Sequence, residues 1–475
     1  MKQVSVLRSC AVAICCALLG ATGCISSSQD CGAGESCVDS ELLSVVAISR
    51  HGIRSPTLSQ DTMNLYTRRP QGFPQWPAPA DTAGVLSTVG QQNAARLGSW
   101  YRDFYAARGL LPPRGACPGT DQVFVYADLF ERTLYTAQGY LQGMFGAESP
   151  SNCGIGVQQS QDPIDPYIDT AAANVCAIDT DADQAVFYAR IGGDTRNLAR
   201  AYSAQLQMLQ DVTECCKPAA CATPANPNPA SCSLAELPLT VNTTGAVSFA
   251  TGSLFNVADT LTETFELEYA QGMPDKGCST TDGAECVGWG AIPSGGLKAM
   301  SRLHVLNMVE LTCSLPSFAQ VGSSNLMWQV VRTLEQRLDG VKHADTIAPA
   351  ASTFTLFVAH DENVAAIAAF LGGITWTAEG FQPNDPGPAG ALVFELHKLK
   401  QRDQLVVRMF YVIAALDQMR FRTPLSLPAP PQRIPLPIPV CNGRLDCPLE
   451  EFEAYVASHV RQDCLVKASS GTRRR

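Results

Sequence analysis

The run LLSVVAI (residues 42–48) is apolar but for Ser44 and rich in β-branched side chains, with no polar–apolar alternation. A strand buried on both faces reads this way, and such strands sit in parallel sheets with crossover helices. VFVYAD (123–128) and FTLFVAH (354–360) repeat the pattern, and ALVFELHKL (391–399) and QLVVRMFYVI (404–413) extend the strand series. STVGQQNAARLGSWYRDFYAARG (87–109) has helical spacing instead, with Ser87 placed as N-cap and Gly109 as the stop. ERTLYTAQGYLQGMF (131–145) predicts a second helix. Strand, helix, strand, helix in succession predicts an α/β fold with a mostly parallel central sheet flanked by helices.

The middle of the chain changes period. Residues 198–212, 253–273, 297–311 and 325–338 carry apolar positions at helical spacing and are rich in Leu, Ala, Glu and Gln. Loops of Cys, Pro, Asn and Gly separate them, which predicts an inserted smaller all-helical domain. The division is a first α/β part over 41–176, the helical insertion over 177–340 and a second α/β part over 341–466. PAPPQRIPLPIPV (428–440) predicts an extended surface segment, LEEFEAYVASHV (449–460) a last helix, and 467–475 a tail.

The N-terminus has the layout of an export signal: Lys2 and Arg8, then the apolar CAVAICCALLGAT (10–22). ATGC, ending at Cys24, resembles a lipoprotein cleavage box, so 1–24 is a lipoprotein-type signal segment and 25–40 a polar tether. Lipidation of Cys24 would anchor the protein to a membrane; ordinary secretory cleavage is the other reading. Both export the chain, and 19 cysteines fit an oxidising compartment. A net charge of −10 excludes a general nucleic-acid binder.

Against that acidic background, AISRHGIRSPT (47–57) stands out: Arg50, His51, Gly52 and Arg54 directly follow a buried strand. Arg132 follows the second strand, and His360, Asp361 and Glu362 the FTLFVA strand. Ligands of open α/β sheets collect at these carboxyl ends. Three guanidiniums suit the oxygens of one phosphoryl group. They also keep an imidazole between them neutral and nucleophilic. Asp361 is then available to protonate a leaving oxygen, and no metal or other cofactor is needed. In isolation Asp361 would serve as an N-cap and Arg132 as a surface residue. His304, His343, His397 and His459 have no convergent partners in the sequence and read as structural or surface groups.

RHGIRSPT and AHDEN resemble the RHGxRxP and HD signatures of the histidine acid phosphatases, the branch holding bacterial periplasmic phytases and glucose-1-phosphatases. ADLFERTLYTAQ (127–138) and the stretch ending in AQGMP are similar to further family segments. The resemblance implies that His51 is the nucleophile, that Arg50, Arg54, Arg132 and His360 bind phosphate, and that Asp361 donates the proton, with Glu362 as the competing donor. It implies Thr57, Leu58, Met273 and Glu362 as substrate-pocket candidates. It also implies bridges Cys117–Cys153, Cys176–Cys464 and Cys441–Cys447, plus one within 215–232, and leaves Cys313 as a buried thiol. Two departures bear on the substrate: Leu58 stands where periplasmic phytases carry lysine, and AQVGSSN (319–325) replaces a stretch with arginines. The expected activity is hydrolysis of phosphate monoesters, phytate or sugar phosphates, on a small phosphorylated substrate. The alternative is a phosphate-binding lipoprotein without turnover.

Overall fold

The computed structural model describes residues 39–273, 287–466 and 472–474. The signal segment with Cys24, the tether before residue 39, the cysteines at 31, 37, 278 and 286, and the tail apart from 472–474 lie outside the described residues. In chain order the strands are β1 (Ser40–Arg50), β2 (Val123–Ala127), β3 (Val157–Ser160), β4 (Val241–Asn242), β5 (Ser248–Phe249), β6 (Phe354–Ala359), β7 (Ala391–Leu399), β8 (Gln404–Ile413), β9 (Gln432–Leu436), β10 (Cys447–Pro448) and β11 (Thr472–Arg474).

Nine of these form one sheet in the order β10-β8-β7-β1-β6-β2-β3-β11, with β9 also on β8. Pairing is parallel for β1 with β6, β6 with β2 and β2 with β3. It is antiparallel for β1 with β7, β7 with β8, β8 with β9 and β10, and β3 with β11. The α/β class and the helix-flanked sheet match the expectation, but the sheet is mixed where mostly parallel pairing is expected. The physical reason lies in the turn at 400–403: a connection that short closes a hairpin and cannot carry a crossover. Apolar runs buried on both faces look the same in either direction, so the strand pattern alone does not register the switch. The Pro-rich segment contributes β9, an edge strand, where proline's missing N–H is tolerated.

The helices Thr88–Ala106 and Glu131–Phe145 cover the sheet, and Ser87 caps the first, accepting from Gly90 N at 2.9 Å. Trp100, Tyr101 and Tyr105 of the first are at most 1% exposed and form core. The segment between β3 and β6 is mostly helical but not all-helical: β4 and β5 form a separate two-stranded ribbon inside it. Residues 198–212 break at Tyr202 into two helices, and Gly296–His304 runs on into a π-helical stretch, Val305–Cys313. The helix Pro316–Asp339 packs on the helix Asp361–Phe370 and on β1, so the last part of the insertion lies against the sheet. Disulfides Cys117–Cys153, Cys176–Cys464, Cys441–Cys447 and Cys221–Cys232 match the implied pattern, a further pair joins Cys215 to Cys216, and Cys313 is free and buried.

The register brings three strand ends level. Arg50 pairs with Ala359 and Ala127 with Val358, so His51, His360 and Asp128 follow side by side. Backbone bonds continue the alignment past the strands, His51 N to Ala359 O at 2.9 Å and Asp128 N to Val358 O at 3.1 Å. The loop after β1 then runs against the first turn of the helix Thr88–Ala106. A Cβ on Gly52 would lie 3.0 Å from Gly90 O, and one on Gly90 only 2.3 Å from Ile53 O. Glycine at 52 therefore serves this close helix contact. Gly90→Ala forces backbone against backbone, so we expect about 1–3 kcal/mol of destabilisation. Urea unfolding checks this.

Candidate active site

His51 is 1% exposed, and its Nδ1 lies 2.9 Å from Gly52 O. A carbonyl only accepts, so Nδ1 carries the proton and Nε2 holds the free lone pair. Burial, then Arg50, Arg132 and Arg54, hold its pKa well below the ordinary histidine value of 6.5. The imidazole is neutral in mild acid.

Three guanidiniums surround it. Arg50 is fully buried and donates from Nη1 to Pro386 O at 3.0 Å. Its Nη2 meets Asp361 Oδ2 at 2.9 Å and also pairs with Glu263. Arg54 donates from Nη2 to the Glu263 carboxylate at 2.8 and 3.1 Å. Arg132 stacks over Phe130 at 4.4 Å, and its Nη2 lies 3.4 Å from His360 Nδ1. The Nε atoms of all three arginines are buried and have no hydrogen-bond partner among the described residues. Such donors suit an anion.

His360 is oriented from both sides. Its Nε2 lies 2.7 Å from Asp128 Oδ2, and with Arg132 donating to Nδ1, Nε2 carries the proton. His360, not Asp361, is the N-cap of the helix Asp361–Phe370, and Asn363 Oδ1 accepts from His360 N at 3.0 Å. Asp361 is the first helical residue, where the helix dipole favours a negative charge. Burial opposes that charge, but Arg50 and Arg54 outweigh it and hold the carboxyl well below the usual range. Glu362 is exposed at the start of the helix, and the Asp361 carboxylate beside it raises its pKa.

The structure thus brings His51, Arg50, Arg54, Arg132, His360 and Asp361 together. Thr57 is at the rim: a Cβ on Gly84 would lie 3.8 Å from Thr57 Cγ2 and 3.9 Å from Arg132 Nη1. Leu58 is half-buried beside Met63, Phe73 and Trp76, lining a hollow of about 30 Å³. Met273 follows the end of the helix Leu254–Gln271 and packs on the core.

Two groups are missed by the sequence reading. Glu263 projects from the helix Leu254–Gln271 onto Arg50 and Arg54. His304, expected to lack partners, is 3% exposed, with Nδ1 2.5 Å from Asp259 Oδ1, and it clusters with Glu263 and Asp361. Both lie on ordinary amphipathic helices, and only the fold brings them to the strand ends. Burial opposes a charge on His304, but Asp259 and Glu263 prevail and push its pKa up to about 10. Glu263, His304 and Asp361 have metal-like spacing, as do Asp128, Asp169 and His360. The donor chemistry fits a metal poorly in both: His304 is cationic, and both His360 nitrogens are engaged.

A pKa raised in the folded state stabilises below the unfolded value, about 6.5 for histidine. The Asp259–His304 contribution is therefore full below that value and lost as pH rises through about 10. In urea unfolding, the stability gap between wild type and the double variant Asp259→Asn, His304→Gln should narrow over that range.

The sequence profile of the histidine phosphatase superfamily (branch 2) matches residues 41–412. The chain is 30% identical over 409 residues to phytase AppA of Escherichia coli (strain K12), covering 85% of this chain and 88% of that one. It is 26% identical to glucose-1-phosphatase of Salmonella typhimurium, covering 87% and 91%. The solved structure of Hafnia alvei phytase with tartrate superposes with a TM-score of 0.76 at 27% identity, over 90% of this chain and 99% of that one. With the paired strand-end motifs, the sheet and the profile in agreement, the chain belongs to the histidine phosphatase superfamily, branch 2.

Proposed function

We propose that the protein is an exported acid phosphomonoesterase that works through a phosphohistidine. The observation that carries this is His51 itself: buried, neutral, its Nδ1 spent on Gly52 O, its Nε2 free among three arginines. Arg50, Arg54, Arg132 and His360 hold the phosphoryl oxygens and offset the charge of the transition state. Nε2 attacks phosphorus, the ester P–O bond breaks, and Asp361 gives its proton to the departing oxygen. Water then attacks phosphorus from the freed side, and the P–N bond to His51 breaks. Asp361 takes the proton from that water, and inorganic phosphate and neutral His51 result.

Asp361 is ionised while it pairs with Arg50. A bound phosphoryl group takes over Arg50 and brings its own negative charge, and both effects raise the Asp361 pKa to where it can carry a proton. The depressed His51 pKa removes the usual penalty of working in acid. Both halves of the site therefore favour low pH. The non-catalytic alternative has no use for a buried neutral nucleophile beside a carboxyl. Export rests on the N-terminal segment, and a lipid on Cys24 would keep the enzyme at a membrane. Phytate and sugar phosphates are the substrate classes that the relatives' names suggest.

His51→Ala should abolish hydrolysis of p-nitrophenyl phosphate, by about four orders of magnitude or more, with an unchanged circular dichroism spectrum. Appreciable turnover in that folded variant rules out the covalent route. Asp361→Asn should slow alkyl phosphates far more than p-nitrophenyl phosphate, because a general acid matters in proportion to leaving-group basicity. Equal slowing of both moves the donor role to Glu362. The profile of kcat/KM against pH should peak below neutrality without added divalent metal, and an alkaline optimum contradicts the mechanism.

A further inference from the structure

Phe130 goes against two local preferences at once. It stands at the N-cap of the helix Glu131–Phe145 and gives the helix start no side-chain hydrogen bond. Ser, Thr, Asp or Asn at that position would accept from the first free N–H groups. Its side chain is also 49% exposed, so burial in the core is not what keeps it there. Departures of this kind are expected where a residue serves a site. The ring lies against the phosphate-binding groups themselves. The Arg132 guanidinium carbon sits 4.4 Å from the ring centroid, over its face. His360 meets the same ring at 5.4 Å with the planes at 89°, and His360 is in turn 5.5 Å from the His51 ring.

The three arginines are not held alike. Glu263 pairs with Arg50 and Arg54, and Asp361 pairs with Arg50 as well. Among the described residues no carboxylate is in ion-pair contact with Arg132. Its guanidinium has one hydrogen-bond contact, with His360 Nδ1 at a long 3.4 Å, and its buried Nε has no acceptor. Burial, and after it Arg54, acts against its charge. A carboxylate would hold this guanidinium by accepting its N–H groups, and an arriving phosphoryl group would have to displace it. An aromatic face attracts the cation from above its plane and accepts none of the in-plane N–H groups. The ring thus supplies a hold that does not compete with the ligand.

We propose that Phe130 is a positioning residue for phosphate binding: its ring face holds the Arg132 guanidinium in register with the phosphoryl oxygens while leaving its donors open. The inference rests on the phosphatase reading above and adds a residue to its phosphate site.

Inorganic phosphate is the probe, and its affinity is measured by titration calorimetry. Phe130→Leu keeps apolar cover without an aromatic face, and Phe130→Asn restores a helix cap without adding charge. Both should weaken phosphate binding by roughly threefold to thirtyfold, the range of a cation–π contact. Both should also lower kcat/KM for p-nitrophenyl phosphate. Phe130→Tyr keeps the face and should bind phosphate as wild type does. The urea midpoint of Phe130→Asn should not fall, because the new cap supports the helix. With Arg132→Gln already in place, Phe130→Leu should have no further effect on binding. Wild-type affinity in Phe130→Leu or Phe130→Asn overturns the inference, as does a Phe130→Tyr variant that binds as weakly as Phe130→Leu. So does stability that falls together with binding in Phe130→Asn, or a full effect of Phe130→Leu without Arg132. A wild type that binds phosphate but hydrolyses no ester overturns the phosphatase reading alone, since the affinities still decide this inference. A wild type that binds no phosphate overturns both.

Discussion

Burying the Arg50 guanidinium is the constraint on which the rest of this structure depends. The side chain is fully buried at the end of the central strand. A charge in that position is tolerated only with close counter-charges. Those come from two other parts of the chain: Glu263 from the helix Leu254–Gln271, and Asp361 from the helix after β6. One guanidinium thus ties the first strand to the helical insertion and to the second α/β part. Breaking a buried pair of this kind costs about 3–5 kcal/mol, so the ion network is a fold determinant as well as the proposed binding site.

The same network sets the chemistry. Glu263 and Asp361 offset part of the arginine charge, and His304 in turn offsets part of theirs. What remains is enough positive potential to keep His51 neutral and three arginine Nε donors without protein acceptors. An arriving phosphoryl group competes with carboxylates for guanidiniums instead of creating charge order anew. Preorganisation of that sort is what lowers the barrier of a phosphoryl transfer.

Much of this was legible before the fold. The strands that carry the site are continuous apolar runs, and residues 50–54, 132 and 360–361 sit at their ends, so local pattern and strand position point to one pocket. Glu263 and His304 were not legible, because a glutamate and a histidine on amphipathic helices look like ordinary surface groups until the insertion folds onto the sheet. The mixed pairing of the sheet escaped for a different reason: direction is set by the length of a connection, not by the composition of a strand. The close contact between Gly52 and Gly90 leaves no mark within the motif itself, because it depends on a helix that starts more than thirty residues later.

The central claim is that His51 Nε2 becomes covalently bonded to phosphorus during turnover. Alkaline quenching in the steady state, followed by mass spectrometry of the peptide that contains residue 51, tests it directly, because phosphohistidine survives alkali. The account predicts a phosphoryl group on His51 that disappears when substrate is exhausted. Turnover with His51 unmodified and the phosphoryl group on another side chain would contradict it.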